Sequence, residues 1–183
     1  MLKKNALSAF LLLAALAGLG KAADPKLQTL PQNWSDAERH KFWFIDQGSK
    51  IMPMAWFRNL QRSNSDQLFA ASENLLRYGF VKDESNIEVT PNLNKYKLPI
   101  GFSVGSYNLV EFVGLTCAAC HTGNVRLGDR SILIEGAPSM LNFDLFLDEL
   151  VKAMVKTRDD PAQRSRFIAR FDSGPPPDMK YDR

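Results

Sequence analysis

Gly114-Leu115-Thr116-Cys117-Ala118-Ala119-Cys120-His121-Thr122-Gly123 decides how the rest of this 183-residue chain is read, because it holds both cysteines and one of the two histidines. Thr116 is placed to cap a short helix in which Cys117 and Cys120 fall on one face, a turn apart. His121, four residues after Cys117, projects from the same side. Two thiols and an imidazole so spaced meet the needs of covalent haem attachment: sulfurs that reach the two vinyl groups of one porphyrin edge, and a neutral ring nitrogen for the iron. The reading is one haem c, attached through Cys117 and Cys120, with His121 as proximal ligand. The two alanines are expected to keep the turn slim against the haem edge, and Gly123 to let the chain leave sharply.

Other uses of Cys-x-x-Cys each lack something here. A thioredoxin-like redox pair follows a parallel-sheet unit, for which the preceding sequence gives no pattern. A tetrahedral zinc site wants a fourth ligand, and only His40 could add one nitrogen. A bare disulfide staples nothing, since there is no other cysteine to build a framework.

For the sixth iron position the sequence offers Met140, Met154, Met52, Met54 and His40, and an open position is equally compatible with it. Met154 and His40 lie on apolar stripes and read first as core, whereas Met140 stands in a loop after Pro138. Arg126 and Arg130 could pair with haem propionates, or stand solvated on the surface.

Upstream, residues 1–23 have the layout of an export signal: Lys3 and Lys4, an apolar run over 6–19, then small residues around Gly20 and Ala22. That run is shorter than the roughly 20 residues a membrane span needs. Removing it takes three lysines from the 23 basic residues and leaves 20 against 20 acidic ones, so the formal charge of +3 belongs to the signal. A neutral mature chain lacks the basic excess expected of a nucleic-acid or anionic-membrane partner. Its expected partner is a redox protein or a small electron donor or acceptor, in the periplasm or outside the cell.

The remaining pattern predicts one mainly helical domain over 24–173, cytochrome-c-like, with a small β-hairpin after the motif and a proline-rich tail over 174–183. Ser35 with Glu38 forms a capping box for a helix over 35–47. Pro53 suits the first turn of a second helix over 54–60, and Leu68, Ala71 and Leu75 space a third over 66–78. Residues 81–107, punctuated by Pro91, Asn94, Pro99, Gly101 and Gly105, read as a long ordered loop with a short strand. Gly128 and Asp129 predict a hairpin that pairs 125–127 with 132–134. An amphipathic helix is expected over 141–156, with another starting at Asp160 and Pro161.

Several stretches resemble a known family when taken together: Gln47-Gly48-Ser49, MPMAWF over 52–57, 98–102, GLTCAACHTG, and GAPSMLNFDLF over 136–146. They are similar to the amino-terminal haem domain of the rubber-oxygenase-like cytochromes, relatives of the dihaem cytochrome c peroxidases. The resemblance covers about 34–150. It implies a periplasmic or secreted protein with c-type haem in cytochrome-c-like helical domains, thioethers at Cys117 and Cys120, and axial ligation by His121. Members of that family are longer and carry a second haem motif, so the chain resembles a truncated or amino-terminal piece. Two functions follow as expectations: a cytochrome domain that passes single electrons, and a haem-dependent oxygenase or peroxidase domain of a longer dihaem enzyme.

Overall fold

A computed structural model of the chain describes residues 26–85 and 93–173. The expected signal over 1–23, the tail over 174–183 and part of the expected loop lie outside the described residues. The elements run β1 (Lys26–Thr29), α1 (Asp36–Phe44), β2 (Met52–Pro53), α2 (Met54–Asn59), α3 (Ser72–Leu76), β3 (Phe102–Tyr107), β4 (Val110–Leu115), α4 (Cys117–Cys120), β5 (Thr122–Leu127), β6 (Arg130–Glu135), α5 (Phe143–Asp159) and α6 (Pro161–Ser173).

With 38% helix and 24% strand among the described residues, the fold is mixed α and β, which overturns the expectation of a mainly helical, cytochrome-c-like domain. The first cause lies in β3 and β4. These strands pair antiparallel from Phe102↔Leu115 to Tyr107↔Val110, and β2 adds to the far edge of β4 through Met52↔Val113. Asn108 and Leu109 close the hairpin, both in the left-handed region at φ 48° and 65°. A leucine there gives none of the glycine signal by which such turns are recognised in sequence.

The second cause is the stretch expected as a helix over 66–78, of which only Ser72–Leu76 is helical. Ahead of it the chain doubles back: Leu68 bridges Gln61, and Phe69 N–H donates to Leu60 O at 2.7 Å. The Gln61 amide holds the turn by donating to Asp66 O at 2.8 Å. Apolar spacing that fits a helix face serves here to bury Phe69 and Ala70 from a turn ahead of the helix.

The second sheet has the order β1-β6-β5. Its β5–β6 hairpin appears where Gly128 and Asp129 predict it but is longer, pairing Thr122↔Glu135 through Leu127↔Arg130. β1 joins β6 in parallel, a pairing across about a hundred residues with no local signature. The capping box of α1 forms as expected: Glu38 N–H donates to Ser35 Oγ at 3.3 Å and Ser35 N–H to Glu38 Oε2 at 2.8 Å. Helix α1 stops at Phe44, short of the expected Gln47. α2, α5 and α6 lie close to their expected positions.

Between the β3–β4 sheet and α5 sits an aromatic core. The ring of Phe102 lies 4.4 Å from Phe80, 5.8 Å from Phe57 and 6.1 Å from Phe146, and Phe69 and Tyr78 extend the cluster. A smaller core of Trp43, Phe44, Ile100, Ala118 and Leu133 joins α1 to the second sheet. The motif helix α4 lies between the two cores, with β4 leading into it and β5 leading out.

Candidate functional site

α4 is a single turn tied by hydrogen bonds to its own cap and to α1. Thr116 Oγ1 accepts from Ala118 N–H at 3.2 Å and donates to Trp43 O at 3.1 Å, which ties the turn to the end of α1. Ala119 N–H donates to Thr116 O at 3.1 Å and His121 N–H to Cys117 O at 2.9 Å. As the spacing requires, the turn has two faces. Ala118 and Ala119 are buried, at 2% and 4% exposure, one in each core, while Cys117, Cys120 and His121 are exposed.

The slimness of the alanines thus has an internal reason. A Cβ on Gly101 would stand 2.5 Å from Ala119 Cα, so Gly101 and Ala119 let α4 and the start of β3 touch backbone to backbone. Gly123 likewise answers to protein: its missing Cβ leaves room for Ala137 Cβ, which would otherwise lie 3.0 Å away.

Both cysteines are free thiols. Among the described residues no three His, Cys, Asp or Glu side chains gather around a common point, so the motif offers its donors outward and not as a closed cage. The donor set fits a haem held across two sulfurs. The thiols are exposed one turn apart, and the exposed His121 follows immediately at the C-cap.

Of the candidates for a second axial ligand, the fold brings Met140 beside the motif. Gly136 N–H donates to His121 O at 2.7 Å and Ser139 N–H to Cys120 O at 3.0 Å, so the stretch before Met140 runs along the motif backbone. On its other side the Met140 carbonyl packs against Gly79, and Asn142 N–H donates to Tyr78 O at 2.7 Å. With its backbone held on both sides, the Met140 side chain is 78% exposed. Met52 and Met54 are buried in the aromatic core, and Met154 packs against it. His40 is buried on α1, its ring 5.1 Å from that of Phe44.

Arg126 and Arg130 stand at the far end of the β5–β6 hairpin, exposed. Arg126 is four positions along β5 from Thr122, about 13 Å at the rise of a strand. The fold therefore carries both arginine backbones away from His121.

Two residues that spacing does not single out belong to the site. Gln47, in the loop after α1, accepts with Oε1 from both Cys117 N–H at 3.1 Å and Cys117 Sγ–H at 3.0 Å. Glu135, paired in register with Thr122, receives Arg39 Nε at 2.7 Å in a buried ion pair that fastens α1 to β6. Arg39 also donates from Nη2 to Leu30 O at 2.9 Å. The partners lie 70 and 96 residues apart in sequence, and no local pattern announces either pair.

No family model and no solved structure matches the chain. Among curated proteins it is similar to uncharacterized protein y4iJ of Sinorhizobium fredii, at 30% identity over 178 residues that cover 85% of this chain. The chain spans 28% of the length of that relative. No described helix is long and apolar enough to cross a membrane.

Proposed function

We propose that the chain carries one haem c through Cys117 and Cys120, with His121 as proximal ligand, and passes single electrons outside the cytoplasm. One observation carries this: two free, exposed thiols and an exposed imidazole stand at i, i+3 and i+4 on a turn whose other side is anchored in two cores. When bound, the haem supplies a one-electron iron couple. The chain's own residues supply rigidity. Thr116 caps the turn, Ala118 and Ala119 root it, and the stretch before Met140 braces the backbone of Cys120 and His121. The layout of residues 1–23 supports export. The resemblance to the rubber-oxygenase-like cytochromes supports the same cofactor at the same three residues.

The test is to express the chain with its leader in a bacterium that attaches haem c, denature the purified protein and stain it for haem. Wild type is expected to keep the stain, and the double variant Cys117→Ala/Cys120→Ala to lose it. A wild-type polypeptide free of covalent haem would sink the proposal.

A second reading, a haem-dependent oxygenase or peroxidase domain, draws on the exposure of Met140. The spectrum of the same sample separates the two. Six-coordinate low-spin iron that ignores carbon monoxide and becomes reactive to it in Met140→Ala supports the electron carrier. Carbon monoxide binding by wild type supports the second reading.

A further inference from the structure

The loop that joins α1 to β2 places one side chain on the motif. Its two ends are fixed on the β3–β4 sheet. On one side the Asp46 carboxylate packs where Gly105 leaves room for it, and Asp46 Oδ1 accepts from Gly48 N–H at 3.0 Å. On the other, Ser49 Oγ accepts from Leu115 N–H and donates to Leu115 O, both at 2.7 Å, and Ile51 N–H donates to Val113 O at 2.8 Å. Gly48, at φ 89°, makes the bend between the anchors. Gln47 stands between them with its amide oxygen on Cys117. A glutamine in solvent gives up side-chain freedom to be held in one place. Here the neighbours on either side fix its backbone and reduce that cost.

We infer that Gln47 is the positioning residue for attachment at Cys117, an inference that rests on the haem reading above. By taking both the backbone N–H and the S–H of Cys117, the amide oxygen selects one orientation of the sulfur and holds it toward the loop. In thioether formation the S–H adds across a vinyl C=C: sulfur bonds to one carbon, hydrogen goes to the other, and no electrons are gained or lost overall. The competing fate of two thiols three residues apart is a disulfide between Cys117 and Cys120. That reaction needs an oxidant to remove two electrons and two protons, and oxidants are present outside the cytoplasm. Either fate gives up the Gln47 hydrogen bond, so what Gln47 supplies is orientation: a reduced Cys117 thiol held in one place until the vinyl carbon reaches it.

The experiment compares wild type, Gln47→Ala and Gln47→Glu, the last keeping an acceptor oxygen at the same reach. In the exported chains, mass spectrometry and the pyridine-complex spectrum count polypeptides with two thioethers against those with one. Loss of one hydrogen bond of about 1 kcal/mol predicts roughly fivefold fewer doubly linked chains in Gln47→Ala, with linkage through Cys120 alone accumulating. Gln47→Glu is expected to recover most of the loss. Equal double linkage in Gln47→Ala and wild type overturns the inference.

A second readout needs no haem. In the reduced chain made without export, a mild oxidant is expected to join Cys117 to Cys120 about fivefold more slowly in wild type than in Gln47→Ala. Equal rates in the two chains overturn the role of Gln47 alone. A rate difference between them, with a wild type that takes up no covalent haem, overturns the haem reading, and the attachment role with it.

Discussion

The β3–β4 hairpin lays Phe102 and Val113 into the aromatic core, whereas the β5–β6 hairpin exposes Val125 and Leu127 and buries only Ser131, Leu133 and Glu135 along its inner strand. The first is held by apolar burial. The second is held by the parallel pairing of β1, by Leu133 in the smaller core, and by the buried Arg39–Glu135 ion pair. One hairpin delivers the chain into α4 and the other takes it away, so the exposed motif hangs between a greasy support and a polar one. Burial of hydrocarbon tolerates small shifts of partners, while a buried ion pair demands its partner in place or leaves a stranded charge.

The largest effect is expected from breaking the apolar support. Phe102→Ala removes a ring in contact with Phe57, Phe80 and Phe146 and is expected to cost about 4 kcal/mol, measured by denaturant unfolding. Breaking the polar support comes next. Glu135→Ala leaves the Arg39 guanidinium buried and is expected to cost about 3 kcal/mol, while replacing both partners by Arg39→Met and Glu135→Leu restores most of that stability. If the double replacement is as unstable as the single one, the pair is not what holds this hairpin.

A third test acts on the apolar side by pH. Burial and then the Tyr78 hydroxyl's 2.7 Å hydrogen bond to Glu149 push the Tyr78 hydroxyl from an ordinary 10.0 up to about 12. The folded state keeps a proton that the unfolded chain releases above pH 10. Stability from this group is therefore complete below pH 10 and declines as pH rises toward 12, by no more than about 2 kcal/mol. Tyr78→Phe is expected to remove that part of the alkaline slope, and an unchanged slope would contradict the assignment.

The smallest effect separates the two turns. Leu109 is fully exposed at φ 65°, so Leu109→Gly relieves backbone strain without losing a contact. It is expected to gain roughly 0.5 kcal/mol once the greater freedom of the unfolded glycine is counted. Gly128, at φ 59° with open space around it, gives the converse: Gly128→Leu is expected to cost about 1 kcal/mol. Thermal unfolding of the two variants checks both signs.

The contrast between these turns also explains what could be read in advance. Gly128 and Asp129 announced the β5–β6 hairpin, while Asn108 and Leu109 concealed the β3–β4 hairpin, because burial of Phe102 and Val113 enforces that turn from outside it. The capping box at Ser35 and the turn at Cys117 were legible for the same reason: their hydrogen bonds close within four residues. The helix expected over 66–78 failed because the apolar spacing of Leu68, Ala71 and Leu75 records burial and does not by itself record the backbone that achieves it.

The sequence by itself determined the site's local chemistry: two thiols and an imidazole at i, i+3 and i+4, and small residues on the opposite face of the turn. That much follows from helix geometry acting over five residues. Tertiary structure alone decided that those alanines seat the turn between two cores, that Met140 lies beside it while His40 and the other methionine candidates are engaged in packing, and that Gln47 and Glu135 belong to its surroundings. Each of those facts is a contact between distant parts of the chain. Such contacts are set by how whole elements bury their surfaces against one another, and no short stretch of sequence carries that information.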